Sequence, residues 1–311
     1  MIVAEKVYLK PITVDEAIRF AKKYAGSFRY IAGGTDVIVN KFQGNDASDC
    51  LIDITGIEEL KKVIKDKKHI KIGSLVRLDD LKTHPEIRKL FPALLEAAHS
   101  VASPMLRKTA TLGGNILCEN RCMFYNQSEW WREAVGYCLK CDGEICIATG
   151  GKKNCFSKFV SDTAPVLIAL NASLEIADGE KEYILPLEEI YSGDGMKPRL
   201  LGNSAIIKFI NLPLAEEPSC VFKKLRPREA VDFTSLTTAV SKSIKGKIRI
   251  VLGGVDPKPI LIEGMANEKD ELIKQAIKKS RIVDNDTYSR PYRKEMISVF
   301  LEQSFEKLNP S

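Results

Sequence analysis

Six of the eight cysteines fall between Cys118 and Cys155: Cys118, Cys122, Cys138, Cys141, Cys146 and Cys155. Both tryptophans, Trp130 and Trp131, lie in the same stretch. Thiolates concentrated in this way suit a soft or borderline metal or an iron–sulfur cluster, so the segment is expected to fold around something inorganic. The opening Met1-Ile2-Val3-Ala4-Glu5-Lys6 has neither the apolar core nor the small-residue cleavage site of a secretory leader. No run of 18 apolar residues exists, so no membrane span and a cytoplasmic location are expected. Thiols stay reduced there, which favours metal over disulfides. Cys50 and Cys220 stand apart and read as small buried hydrophobes.

The 311 residues are 44% hydrophobic and 28% charged, enough for more than one core. A net charge of +6 from 47 basic and 41 acidic residues is a mixed solvated surface. The basic run Lys61–Lys68 lacks the interleaved aromatics of a single-strand binder, so no nucleic-acid partner is expected and a hairpin rim or helix end is. His69, His84 and His99 share no partner spacing, and no nucleophile elbow, HExxH or paired-carboxylate pattern occurs, so no catalytic residue is assigned.

Thr13-Val14-Asp15-Glu16 forms a capping box for a helix that Gly26 ends. Tyr30–Asp36 predicts a strand running into an abrupt loop, and Leu51–Ile54 a further strand, so residues 1–55 read as a small α/β unit. Residues 56–215 read as a second unit, with a strand at His69–Gly73 and helices from Asp79, over Phe91–Ser100 and over Pro165–Leu170. Ala172–Ile176 reads as a strand. Pro213–Pro218 reads as a linker to a C-terminal α+β unit, 216–311. That unit is expected to run strand Val221–Leu225, helix Thr234–Val240, strand Ile248–Val255, then helices near 267–279 and 289–307.

Two Gly-Gly pairs, Gly33-Gly34 and Gly113-Gly114, invite a common chemistry. Paired glycines let backbone turn sharply, and the amides exposed in such turns hold anions such as a diphosphate. Thr35 and Asp36 flank the first pair, Thr111 and Asn115 the second, and all four can bond phosphate or sugar hydroxyls. Neither pair forms a GxGxxG fingerprint, and no GxxxxGK[ST] loop is present.

Ala32-Gly33-Gly34-Thr35-Asp36, Arg107–Ile116 and Ser161-Asp162-Thr163-Ala164-Pro165 resemble three FAD-binding motifs. They are those of the flavoprotein subunits of molybdenum hydroxylases, the family of xanthine and carbon monoxide dehydrogenases. Lys224 and Arg228 ahead of Asp232-Phe233, and Leu252–Val255, extend the likeness to the C-terminal unit. The resemblance implies an α+β fold, with two FAD-binding subdomains followed by a C-terminal α+β domain. It implies that Ala32–Asp36 and Thr111, Gly113, Gly114 and Asn115 wrap the FAD diphosphate and ribityl chain, and that Asp162 bonds the ribityl or adenosine side. Lys224 would stand near the isoalloxazine ring, where a cation favours the anionic reduced flavin. Without the resemblance, Lys224 reads as a solvent-facing strand residue and Asp162 as an ordinary residue at a helix start.

Between the second and third motifs lies an insertion, residues 117–157, where most such subunits have a short connection. Cys122–Arg132 and Gly136-Tyr137-Cys138 resemble the flavin subunits of the 4-hydroxybenzoyl-CoA reductase family, in which the insertion carries an additional [4Fe–4S] cluster. The resemblance implies Cys122, Cys138, Cys146 and Cys155 as ligands. Intervals of 15, 7 and 8 residues suit an irregular wrapping loop, bent at Gly136, Gly143, Gly150 and Gly151, with Phe124, Tyr125, Trp130 and Trp131 excluding water. By spacing alone, a zinc knuckle from Cys138-x-x-Cys141 and Cys118-x-x-x-Cys122 competes.

By resemblance, the chain is a redox subunit with FAD and a [4Fe–4S] cluster. It would link a ferredoxin-like donor to a [2Fe–2S] subunit and a molybdenum-cofactor subunit, in a heterohexamer of two heterotrimers. One alternative is the FAD subunit of an NAD-linked hydroxylase for another aromatic or purine. The other is a zinc-stabilised interaction module without flavin.

Overall fold

The computed structural model describes residues 6–215 and 218–309. The first five residues of the opening stretch, Glu216 and Glu217 of the expected linker, and residues 310–311 lie outside the described residues.

Three sheets organise the chain. The first is parallel, in the order Val7–Leu9, Cys50–Asp53, Phe28–Ile31. Helix Val14–Lys23 lays Val14, Ala17, Ile18 and Ala21 into the core of this unit. The Thr13 hydroxyl accepts the Glu16 amide at 3.2 Å, while Glu16 Oε2 accepts the amide of Ile12, one residue before the usual capping-box partner. The strand Phe28–Ile31 delivers Ala32–Asp36 at its carboxyl end, where open sheets of this kind expose ligand sites.

The second sheet is antiparallel, in the order Val63–Lys65, His69–Gly73, Ile206–Pro213, Ser173–Ala177, Glu182–Pro186. The basic run is thus the rim of the Val63–Lys65/His69–Gly73 hairpin. The segment from Asp79 is a 3-10 turn, Asp80–Thr83, and the α-helix starts only at Pro85. Strand Ile206–Pro213 runs to the first residue of the expected linker, and Leu214 still donates to the Lys68 carbonyl.

The third sheet is an antiparallel meander of Ser219–Leu225, Leu236–Lys242, Lys247–Gly253 and Ile260–Met265. The expected helix Thr234–Val240 is therefore a strand, and Ile260–Met265 is a further strand the sequence reading passed over. The cause of the first difference is burial on both faces. Leu236 and Val240 face the core with helices Lys269–Lys279 and Arg290–Leu308, while Ala239 faces the core that holds helix Thr163–Ala169. A strand covered twice loses its polar alternation and reads like a buried helix, leaving only β-branched Thr237, Thr238 and Val240 to betray it. Helix Thr163–Ala169 is buried at every residue. It fixes the third FAD-type motif between the second and third sheets.

Candidate functional site

The first glycine loop is an open row of amides. Among the described residues, the N–H groups of Gly33, Gly34, Thr35 and Asp36 donate to no protein acceptor. Gly34 takes φ +70°, a conformation that favours glycine. Gly33 answers to a different constraint: a Cβ there would stand 1.9 Å from the Thr109 carbonyl oxygen. The first motif is thus pressed directly on the backbone of the second.

The second pair differs. Gly113 and Gly114 lie inside a short helix, Leu112–Ile116, and not in a turn. Their amides are already used, Gly113 on the Ser74 carbonyl at 2.8 Å and Gly114 on the Thr111 hydroxyl at 3.1 Å. Gly113 lacks a side chain because Ser74 fills the space, with its Cβ 2.7 Å from where one would stand. The shared anion chemistry expected of the two pairs therefore reduces to the first. Asn115 joins the second motif to the third: its Oδ1 accepts from the hydroxyls of Ser161 at 2.8 Å and Thr163 at 2.6 Å.

Asp162 stands at the start of helix Thr163–Ala169 without capping it. Its Oδ2 accepts from Lys224 Nζ at 2.6 Å, and the two side chains are only 5% and 4% exposed. Lys224 is not the solvent-facing residue its strand position suggested. Its ammonium also donates to the Ser100 carbonyl at 3.0 Å, which Arg226 reaches as well at 2.8 Å. Burial pushes the Asp162 carboxyl up and the Lys224 ammonium down, and their mutual attraction opposes both shifts. Asp162 Oδ1 is buried with no protein partner. Such an atom calls for a donor from outside the chain.

The insertion is a closed excursion. Arg121 and Lys158 exchange both backbone hydrogen bonds at its base, at 2.9 and 2.7 Å. Asn120 Nδ2 bonds the carbonyls of Ser157 and Pro257 from beneath. The buried Arg132 reaches from the helix Glu129–Val135 to the Gln43 carbonyl at 2.8 Å, tying the insertion to the first unit. Inside the loop, Cys122, Cys138, Cys146 and Cys155 line a single cavity, part of it open to solvent. Cys118 and Cys141 do not line it. Each of the four is set by backbone bonds. Asn126 Oδ1 takes the Cys122 amide, Gly143 donates to the Cys138 carbonyl, Gly150 to that of Cys146, and Asp194 Oδ1 takes the Cys155 amide. At Gly143 a Cβ would stand 1.8 Å from the Tyr137 carbonyl oxygen. Phe124 and Tyr125 line the cavity, but Trp130 is 75% exposed and neither tryptophan reaches it.

Burial pushes the Cys122 thiol up to about 11 and raises Cys155. The neighbouring Cys141 thiol draws Cys138 down to about 6, and Cys141 rises in turn. Among the described residues, no three His, Cys, Asp or Glu side chains gather at a point one ion could fill. A zinc knuckle with Zn–S bonds of about 2.3 Å needs such a point.

Several contributors escaped the sequence reading. Asp36 accepts the Glu119 amide at 3.0 Å and pairs with Arg121, joining the amide row to the base of the insertion. Ser74 and Ser100 act through backbone carbonyls, Arg226 through its guanidinium on the Ser100 carbonyl, and Asp194 through a single carboxylate oxygen. No local pattern marks such residues.

The family model described as FAD binding domain in molybdopterin dehydrogenase matches residues 3–215. The chain belongs to this family. It is an FAD-binding oxidoreductase subunit of the molybdenum hydroxylase type. It is 29% identical over 265 residues to the FAD-binding subunit of aldehyde oxidoreductase from Escherichia coli (strain K12), covering 82% of this chain and 83% of that protein. Against the nicotinate dehydrogenase FAD-subunit of Eubacterium barkeri it is 34% identical over 110 residues, 35% and 37% of the two chains. The carbon monoxide dehydrogenase of Hydrogenophaga pseudoflava lacking the Mo-pyranopterin moiety superposes with a TM-score of 0.76 over 99% and 98% of the chains, at 20% identity. That likeness shows the fold. The free amides of Gly33–Asp36 and the orphaned Asp162 oxygen fit an FAD. No helix among the described residues is long and apolar enough to cross a membrane.

Gly33→Ala must drive the first two motifs apart. FAD affinity is expected to fall at least about tenfold, about 1.4 kcal/mol, in a fluorescence titration of flavin-stripped protein; unchanged affinity would show that the contact with Thr109 is dispensable. Lys224→Met leaves Asp162 buried and unpaired, at a cost of about 3–5 kcal/mol. Urea unfolding should show that loss and its substantial recovery in Asp162→Asn/Lys224→Met, whereas additive losses would refute the pairing.

Proposed function

We propose that this chain is the electron-relay subunit of a molybdenum-dependent 4-hydroxybenzoyl-CoA reductase, holding FAD and a [4Fe–4S] cluster. The observation that carries this reading is the cavity: of six clustered cysteines, four line one cavity, and they are the four the resemblance implies. A cube of four irons takes each thiolate at a separate corner, so it asks for sulfurs spread around a volume and not converged on a point. The lining supports this ligand set over the Cys118/Cys122/Cys138/Cys141 knuckle, because Cys118 and Cys141 do not line the cavity.

In this reading Cys122, Cys138, Cys146 and Cys155 bind as thiolates, and Phe124 and Tyr125 keep water from the sulfurs. The Ser157 amide, 3.4 Å from Cys155 Sγ, supplies the kind of hydrogen bond that tunes a cluster's potential. The amides of Gly33–Asp36 hold the FAD diphosphate. Thr111, Gly113, Gly114 and Asn115 shape the second wall, the latter three chiefly by close packing and by fixing the third motif. Asp162 Oδ1 accepts a flavin-side hydroxyl. Lys224, with Asp162 as its fixed counter-ion, stands toward the ring. FAD exchanges electrons singly or in pairs, which matches one-electron clusters to two-electron chemistry. Partners in this reading are a [2Fe–2S] subunit, a molybdenum-cofactor subunit where the substrate loses its hydroxyl, and a ferredoxin-like donor, with two heterotrimers forming a heterohexamer. The names of the relatives, aldehyde oxidoreductase and nicotinate dehydrogenase FAD subunits, support such a multi-subunit setting.

Protein purified without oxygen should contain about four irons, four sulfides and one FAD per chain. Serine at Cys122, Cys138, Cys146 or Cys155 should remove the iron, while Cys118→Ser and Cys141→Ser keep it. FAD without iron, or one zinc per chain, would refute the cluster. Failure of the iron-loaded complex to reduce 4-hydroxybenzoyl-CoA with a low-potential donor would refute the substrate.

A further inference from the structure

A lysine stands among the lining residues of the four-cysteine cavity. Lys140 lies two residues beyond Cys138, and its side chain is only 8% exposed. Its Nζ is 3.3 Å from Glu119 Oε2 and stands over the Tyr125 ring, 4.9 Å from the centroid. Glu119 does not belong to Lys140 alone, because its other oxygen pairs with Arg199. Two cations share one carboxylate, so a net positive charge remains at the wall of the cavity. Burying a charge costs several kcal/mol in desolvation, which one shared carboxylate and the face of the Tyr125 ring offset only in part, and that is a costly way merely to close a loop. The same Glu119 donates its backbone amide to Asp36 at the end of the flavin-side amide row. The charge is thereby fixed in the frame shared by the two cofactor sites.

We propose that Lys140 is the charge-setting residue of the four-cysteine site, favouring the reduced state of the group held there, and that Glu119 offsets part of that effect. The proposal rests on the reading of the cavity as an iron–sulfur site. Reduction adds one electron from a low-potential one-electron donor; no bond forms or breaks, and one more negative charge appears inside the ring of sulfurs. A fixed ammonium at the wall stabilises that added charge, more strongly in a water-poor site than in solvent. Hydrogen bonds and local charge are among the properties that set cluster potentials. A purely structural Lys140 would hold the turn Leu139–Cys141 in place through Glu119 and leave the potential where it is.

The test is a dye-mediated redox titration of the anaerobic, iron- and FAD-loaded chain, followed by electron paramagnetic resonance. Wild type, Lys140→Met, Lys140→Arg and Glu119→Gln are compared. Lys140→Met should lower the equilibrium for electron uptake about tenfold, a downward shift of about 59 mV for a one-electron couple. Lys140→Arg should stay near wild type, and Glu119→Gln should shift upward. An iron-loaded Lys140→Met with the wild-type potential overturns the proposal. So does a Glu119→Gln potential that is unchanged or lowered, which decides the matter should Lys140→Met fail to retain iron. Absence of iron and of a reduced-state signal in the wild type defeats the iron–sulfur reading instead, and is distinguishable from an unmoved potential in a loaded variant.

Discussion

The Asp36 carboxylate is the joint on which the site depends. It ends the row of free amides that begins at Gly33, and its two oxygens turn away from that row toward the insertion. One takes the Glu119 amide; the other pairs with the buried Arg121. Arg121 in turn closes the base of the cysteine loop against Lys158 and lies under the Phe233 ring, 4.9 Å from its centroid. A buried guanidinium without its carboxylate would cost several kcal/mol, so the pair holds the loop and the amide row together. Phe233 brings the segment before strand Leu236–Lys242 to the same joint.

From that joint the candidate flavin site extends as a chain of close contacts. Gly33 rests on Thr109, Asn115 holds Ser161 and Thr163, and Asp162 holds Lys224. Each contact links one motif to the next, so the motifs are set mainly by one another. Much of what glycine does here is to remove bulk where backbones meet. Only the first pair leaves its amides open to an anion. The cysteine loop follows the same economy. It has little regular structure apart from the helix Glu129–Val135, and its cysteines are positioned by backbone bonds to Asn126, Gly143, Gly150 and Asp194.

Much of this was legible in the chain. The Thr13 N-cap, the strand before Ala32 and the apolar helix after Asp162 follow local rules of spacing and capping, and of the two readings of Lys61–Lys68 the hairpin rim is the one observed. The strand Leu236–Lys242 did not, because burial on both faces erases the alternation by which strands are known. The second glycine pair misled for a related reason. Sequence reports that a side chain is missing but not whether a ligand or Ser74 fills the space. Trp130 reads as a shield and lies in solvent, since hydrophobicity alone does not say which way a short helix faces. The Asp162–Lys224 pair spans 62 positions and Asp36–Arg121 spans 85; contacts that distant leave no local trace.

In the proposed function, the four cavity cysteines surround a multi-iron group fixed to the flavin cradle. Anomalous diffraction at the iron edge from crystals grown without oxygen tests it most directly. The expected result is one compact cluster of iron peaks surrounded by Cys122, Cys138, Cys146 and Cys155, with flavin density ending on the amides of Gly33–Asp36. No iron signal among those sulfurs, or a lone peak at the zinc edge between Cys138 and Cys141, would contradict it.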